Sequence, residues 1–249
     1  PHFEKMLYDN ALLLGTYVRG WRRTADHDEG LRALYERTAY GIVGWLEREM
    51  VSEEGAFIAG LDADSCDIRG AVHEGIFYLW NPELLDDALG KELGDWAATA
   101  FHVTAGGTFD DGLSTLQLRG RPDFAKLQQV TETLLAERES RFRPAADQLV
   151  VSAWNGWAIS SLVQGALVFN EPGWLELALR AAEPGRFPVD LACVEHAVAG
   201  LADVHKCGLH AGQHVLHAAK VDVADGLYFL NVGDVMLDQN IVSTTEIWV

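Results

Sequence analysis

The chain has 249 residues, of which 49% are hydrophobic and 22% charged, the balance of a globular chain long enough to bury one sizeable core. Its formal net charge is −18, from 19 Lys and Arg against 37 Asp and Glu. That excess argues against a nucleic acid or an anionic membrane surface as partner, because both are held by Lys and Arg.

The three cysteines, Cys66, Cys193 and Cys207, are odd in number and form no C-x-x-C, so no disulfide framework is expected and a reducing, cytoplasmic compartment is. No apolar run reaches membrane-spanning length. Pro1-His2-Phe3-Glu4-Lys5 is not followed by the apolar core of a signal peptide. A chain that lacks an initiator Met and opens on a helix start reads as a fragment of a longer protein.

Phe3, Leu7, Ala11, Leu14, Val18 and Trp21 recur at three- and four-residue steps, which predicts an amphipathic helix over 3–21. Leu31, Leu34, Tyr35, Thr38, Ile42, Trp45 and Leu46 repeat the pattern and predict a second helix over 31–50. The short polar turn Thr24-Ala25-Asp26-His27-Asp28 joins them, so the two helices are expected to pack antiparallel. Glu53 to Phe57 and Asp62 to Ser65 read as a turn and an acidic loop, and Gly75 to Trp80 as a short strand.

Asn81-Pro82-Glu83 starts a helix that ends near Gly90, with Asn as cap and Pro at the first helical position. A further helix is expected over 93–101, little regular structure over 102–120, and a charged helix over 123–142 stopped by Pro144. Residues 156–169 and 174–182 form a second hairpin across Asn170-Glu171-Pro172-Gly173. Beyond it, 190–205 and 210–220 read as helices and 226–230 as a short strand. The fold class is therefore all-α, with short β elements in loops.

Three segments resemble a known family. They are Pro1 to Ala11; Leu61-Asp62-Ala63-Asp64-Ser65 followed by Glu74 to Trp80; and Asp147 through Trp154-Asn155-Gly156. The chain resembles the helical half of the thioredoxin-domain-containing, spermatogenesis-associated protein 20 family. The resemblance organises residues 1 to about 170 and is weak over 171–249.

It implies an (α/α)6 toroid of helical hairpins as one domain over 1–249, similar to N-acylglucosamine 2-epimerases and six-hairpin glycosidases. It also implies a thioredoxin-like domain elsewhere in the full-length protein, absent from this chain. Asp147-Gln148-Leu149 departs from the family pattern of two Asp and a Lys, and Gly75-Ile76 from its glycine-lysine step. Asp190-Leu191-Ala192 lacks an aromatic and follows Trp154 too soon. A hairpin is thus expected to be shortened and the toroid incomplete.

The chemistry-bearing candidates follow from what sugar sites use: carboxylates for acid–base work and aromatic faces for the apolar side of a ring. Asp62, Asp64, Glu74 and His2 are the catalytic candidates. Glu4, Lys5, Asp9, Trp80, Trp154 and Asn155 are the substrate-binding ones. Each has a structural alternative. Asp62 and Asp64 point to one side if extended, or cap a loop. Glu4 near a helix start complements the dipole. His2 and Lys5, three apart, would share a helical face, from which they would hydrogen-bond sugar hydroxyls or move a proton. Asn after Trp is an amide beside a stacking face, or a cap.

Cys207, His210, His214 and His217 match no zinc spacing, so no metal is expected. No nucleotide or serine-hydrolase motif occurs and no cofactor is expected. Two functions compete. One is a carbohydrate-active domain for a small saccharide or polyol, epimerase-like or glycosidase-like. The other is a non-catalytic interaction module, or decayed copy, that accompanies a thioredoxin-like domain.

Overall fold

The computed structural model describes residues 2–25, 27–120 and 122–182. The helices and strand expected over 190–205, 210–220 and 226–230, and the His210, His214 and His217 cluster, lie outside the described residues. Within them the chain is mostly helical, with seven α-helices and five strands of two or three residues. It divides into two compact units. One comprises 2–4 and 62–145, and the other comprises 5–61 and 146–182.

The second unit holds two helical hairpins. Helix α1 (Leu7–Arg23) buries Leu7, Ala11, Leu14 and Val18 on one stripe. Asp28 caps α2 (Glu29–Trp45), its side chain accepting from the Leu31 N–H. A short π-helical turn, Leu46–Met50, continues it. Tyr17 meets Tyr35, and Arg32 lies 3.9 Å over the Trp21 ring. One set of numbers rises as the other falls, so α1 and α2 are antiparallel, as the short turn between them predicts.

Helix α6 (Ser152–Phe169) and helix α7 (Pro172–Ala181) form the other hairpin. Asn170 ends α6 in the left-handed conformation, and Pro172 opens α7. Between α1 and α6 the contacts run Tyr8 to Trp154, Ala11 to Ser161, Val18 to Gly165 and Trp21 to Phe169. Both sets of numbers rise together, so α1 and α6 are parallel neighbours. Small residues permit the approach, since a Cβ on Gly15 would stand 2.8 Å from Ser161 Oγ.

Both helices leave one small antiparallel sheet. Strand β2 (Gly60–Leu61) lies between β1 (Lys5–Met6) and β5 (Ala146–Asp147), with Lys5 opposite Leu61 and Gly60 opposite Asp147.

The first unit packs α3 (Pro82–Leu89), α4 (Lys91–Ala100) and α5 (Phe124–Arg138) around Trp80, Leu85, Phe101, Val130 and Leu134. Asn81 caps α3 through the Leu84 N–H, and Asp123 caps α5 through Ala125 and Lys126. Strands β3 (Asp64–Cys66) and β4 (Val72–Glu74) form an antiparallel hairpin.

Gly75–Trp80 is not the strand that its apolar run predicts. Residues 75–78 are a turn, opened by Gly75 at φ 73° and closed by the Tyr78 N–H donating to the Gly75 carbonyl, and Trp80 alone pairs, in an isolated antiparallel bridge with Ser114. Phe3 fills the space beneath, 2.6 Å from where a Cβ on Gly75 would sit. Arg141 Nη1 donates to the Phe77 and Leu79 carbonyls at 3.1 and 2.8 Å, satisfying backbone that a neighbouring strand would otherwise satisfy.

Helix boundaries differ from expectation. Helix α6 starts at Ser152, four residues before the expected 156, and α2 is α-helical only to Trp45 of the expected 31–50. Residues 3–6 precede α1, because 5–6 pair into the sheet, and α5 stops at Arg138, well before Pro144.

Candidate functional site

In the second unit, the parallel run of α1 and α6 brings their N-terminal, electropositive ends to the same side. There the half-buried rings of Tyr8 and Trp154 meet edge to face, with centroids 4.9 Å apart. Asp9 follows Tyr8 in the first turn of α1 but is exposed, on the side away from the buried stripe of Leu7, Ala11, Leu14 and Val18; desolvation raises its carboxyl from the ordinary value. Val151 at the N-cap of α6 offers no side-chain acceptor to the first-turn amides. Together the two rings present an apolar corner rimmed by the Tyr8 phenol.

Asn155 anchors this corner. It is 1% exposed. Its Oδ1 accepts from the Phe57 N–H at 2.9 Å, and its Nδ2 donates to the Phe57 and Val151 carbonyls at 2.9 and 3.1 Å. Both amide protons are therefore committed to backbone, and Asn155 neither caps α6 nor offers them to a ligand. Instead it ties the 51–59 loop to the helix beside Trp154. Lys5 is also buried, in β1. The helical face expected for His2 and Lys5 does not form, since both precede α1.

The other candidates belong to the first unit. His2 and Glu4 are exposed and outside any helix. Asp62 takes the loop-capping alternative, its Oδ1 accepting from the Asp64 N–H at 3.1 Å. Asp64 stands directly opposite Glu74 across β3 and β4, and both are exposed.

Trp80, at 2% exposure, is the largest fully buried side chain among the described residues, and Arg141 stacks 4.0 Å over its ring. Burial and the neighbouring Arg138 charge lower the Arg141 guanidinium to about 10. Trp80 is thus a core residue of this unit, with no face open to solvent for stacking.

Tyr8 and Arg141 carry more than the sequence reading gave them. Tyr8 lies inside the family-like opening segment, where its place on the α6-facing side of α1, one turn before Ala11, is the available signal. Arg141 gives no local signal, because its partners lie over sixty residues earlier.

No family model matches the chain. Human spermatogenesis-associated protein 20 is 24% identical over 215 residues, covering 74% of this chain and 27% of that protein. An uncharacterized protein of Caenorhabditis elegans is 28% identical over 214 residues, covering 74% of this chain and 28% of its own. Rat spermatogenesis-associated protein 20 is 34% identical over 95 residues, which is 38% of this chain and 11% of that protein.

These similarities support the spermatogenesis-associated protein 20 family. The chain spans about a quarter of the length of the first two relatives. Among the described residues no helix is long and apolar enough to cross a membrane.

Proposed function

We propose that this chain is a carbohydrate-active-type helical domain that binds a small saccharide or polyol at the N-terminal ends of α1 and α6. The half-buried Tyr8–Trp154 corner carries the reading. A sugar's apolar C–H face suits an aromatic surface, and its hydroxyls suit the Tyr8 phenol.

Two hairpins whose first helices run parallel and side by side are the repeating relation of an (α/α) toroid, and this supports the toroid-like reading. In the longer protein a thioredoxin-like domain is the covalent neighbour that the family resemblance implies.

The reading assigns binding in preference to turnover. Glycosidic acid–base work needs a carboxyl shielded from water, whereas Asp62, Asp64 and Glu74 are all exposed. The test is calorimetric titration of glucose, mannose, N-acetylglucosamine and cellobiose into the chain. At least one should bind, and Trp154→Ala should weaken it roughly tenfold, about 1.4 kcal/mol. Trp157→Ala, on an exposed indole one turn further along α6, should leave affinity unchanged. If the whole panel fails to bind, the interaction-module reading takes precedence.

A further inference from the structure

The β3–β4 hairpin carries features that saccharide binding leaves unused. The Asp67 N–H donates to the Ala71 carbonyl and the Gly75 N–H to the Ala63 carbonyl, flanking the ladder. Alternation then makes Ser65–His73 the hydrogen-bonded pair. Asp64–Glu74 and Cys66–Val72 become the non-hydrogen-bonded pairs, whose side chains approach most closely. These four side chains share one exposed face. The backbone N–H and C=O groups of Val72 and Glu74 point away from β3, and among the described residues no strand pairs with β4 on that side.

Each feature of this face is unfavourable in isolation. Like charges directly opposite destabilise a strand pair, and an open edge invites another strand. Val72 is 63% exposed, and Ile68 at the tip is 92% exposed. The tip is nevertheless firmly built. Asp67 Oδ1 accepts from the Arg69 and Ala71 N–H groups, both at 2.8 Å, and Oδ2 lies 3.5 Å from His73 Nε2. A loop already ordered in this way loses little freedom when a partner docks on it.

We propose that the β4 edge docks an extended protein segment that alternates lysine or arginine with aliphatic residues. The segment's backbone pairs with Val72 and Glu74, as in strand addition. Its cation sits beside Asp64 and Glu74 and relieves their repulsion, while its aliphatic side chains cover Val72 and Ile68. Charge selects this partner over a second copy, since two chains of net charge −18 repel.

The probe is an eight-residue peptide of alternating lysine and valine, with a glutamate-for-lysine version as control. Binding to the full chain is read by fluorescence anisotropy, and amide hydrogen exchange is followed over residues 64–74. The lysine peptide should bind, and the Val72 and Glu74 amides should gain protection. Glu74→Lys and Val72→Pro should each lower affinity roughly tenfold or more. The proline removes an outward N–H and leaves the β3–β4 ladder intact, and circular dichroism should confirm an unchanged fold for both variants.

Retained binding in both variants would mean diffuse attraction to an acidic surface and would overturn the proposal. So would equal binding of the glutamate peptide, or no binding at all. Val72 and Glu74 amides already protected in the free chain, or concentration-dependent self-association lost in Glu74→Lys, would make the chain itself the occupant and also overturn it.

Discussion

His102 adopts φ 57° at the end of α4, where its N–H and that of Val103 close the helix on the Thr99 and Ala98 carbonyls. The left-handed conformation costs a residue with a Cβ about 1–2 kcal/mol, and glycine is the usual occupant of such a position. His102→Gly should therefore raise stability by about 0.5–1 kcal/mol after the glycine's own entropy is counted. The midpoint of urea unfolding would show it.

A second residue-scale case is Tyr40, whose hydroxyl donates to Glu171 Oε1 at 2.6 Å and links α2 to the start of α7. Burial first, then the bond and charge of Glu171, push this phenol up to about 12 from 10.0. Its folded value lies above its unfolded one, so its contribution to stability is complete below pH 10.0 and is lost as pH rises towards about 12. Unfolding free energies measured across that window should fall for the parent chain. They should fall less for Glu171→Gln.

At the scale of elements, Asn155 and the glycines hold the second unit's hairpins together. Asn155→Ala would strand the Phe57 N–H and C=O without partners in a buried place, at a cost of about 3 kcal/mol. A drop of that size in thermal or denaturant stability is expected, with Trp154 losing its fixed position. A Cβ on Gly165 would stand 2.6 Å from the Trp174 ring, so Gly165→Ala should cost about 1–3 kcal/mol through overpacking. Differential scanning calorimetry would read both.

The helices themselves were legible in the sequence. The three- and four-residue steps of α1 and α2 and the Asn81-Pro82 start reflect forces that act within one turn of the chain. The small sheet was not legible, because pairing Lys5 with Leu61 and Gly60 with Asp147 depends on residues far apart in sequence. The same holds for residues 75–80, where an aromatic run mimics a strand while Gly75, Phe3 and Arg141 impose a turn over 75–78 and only Trp80 bridges, to the distant Ser114. For the candidate site, Trp154 was legible as an aromatic at an element's start. The commitment of Asn155 to Phe57, 98 residues away, was not.

Within the second unit, the sequence arranges two hairpins so that α1 and α6 rise in parallel from one sheet, although residues 62–145 separate the hairpins in chain order. This arrangement brings Tyr8 and Trp154 together at the positive ends of both helices, and the proposed saccharide site depends on it. The most direct measurement is the indole N–H region of a nitrogen-correlated NMR spectrum of the chain, with Trp154 assigned through Trp154→Phe, recorded as a saccharide from the panel is added. The account predicts that the Trp154 indole shifts in a saturable way while the buried Trp80 indole stays in place. Saturable shifts confined to other tryptophans, or none at any saccharide concentration, would contradict it.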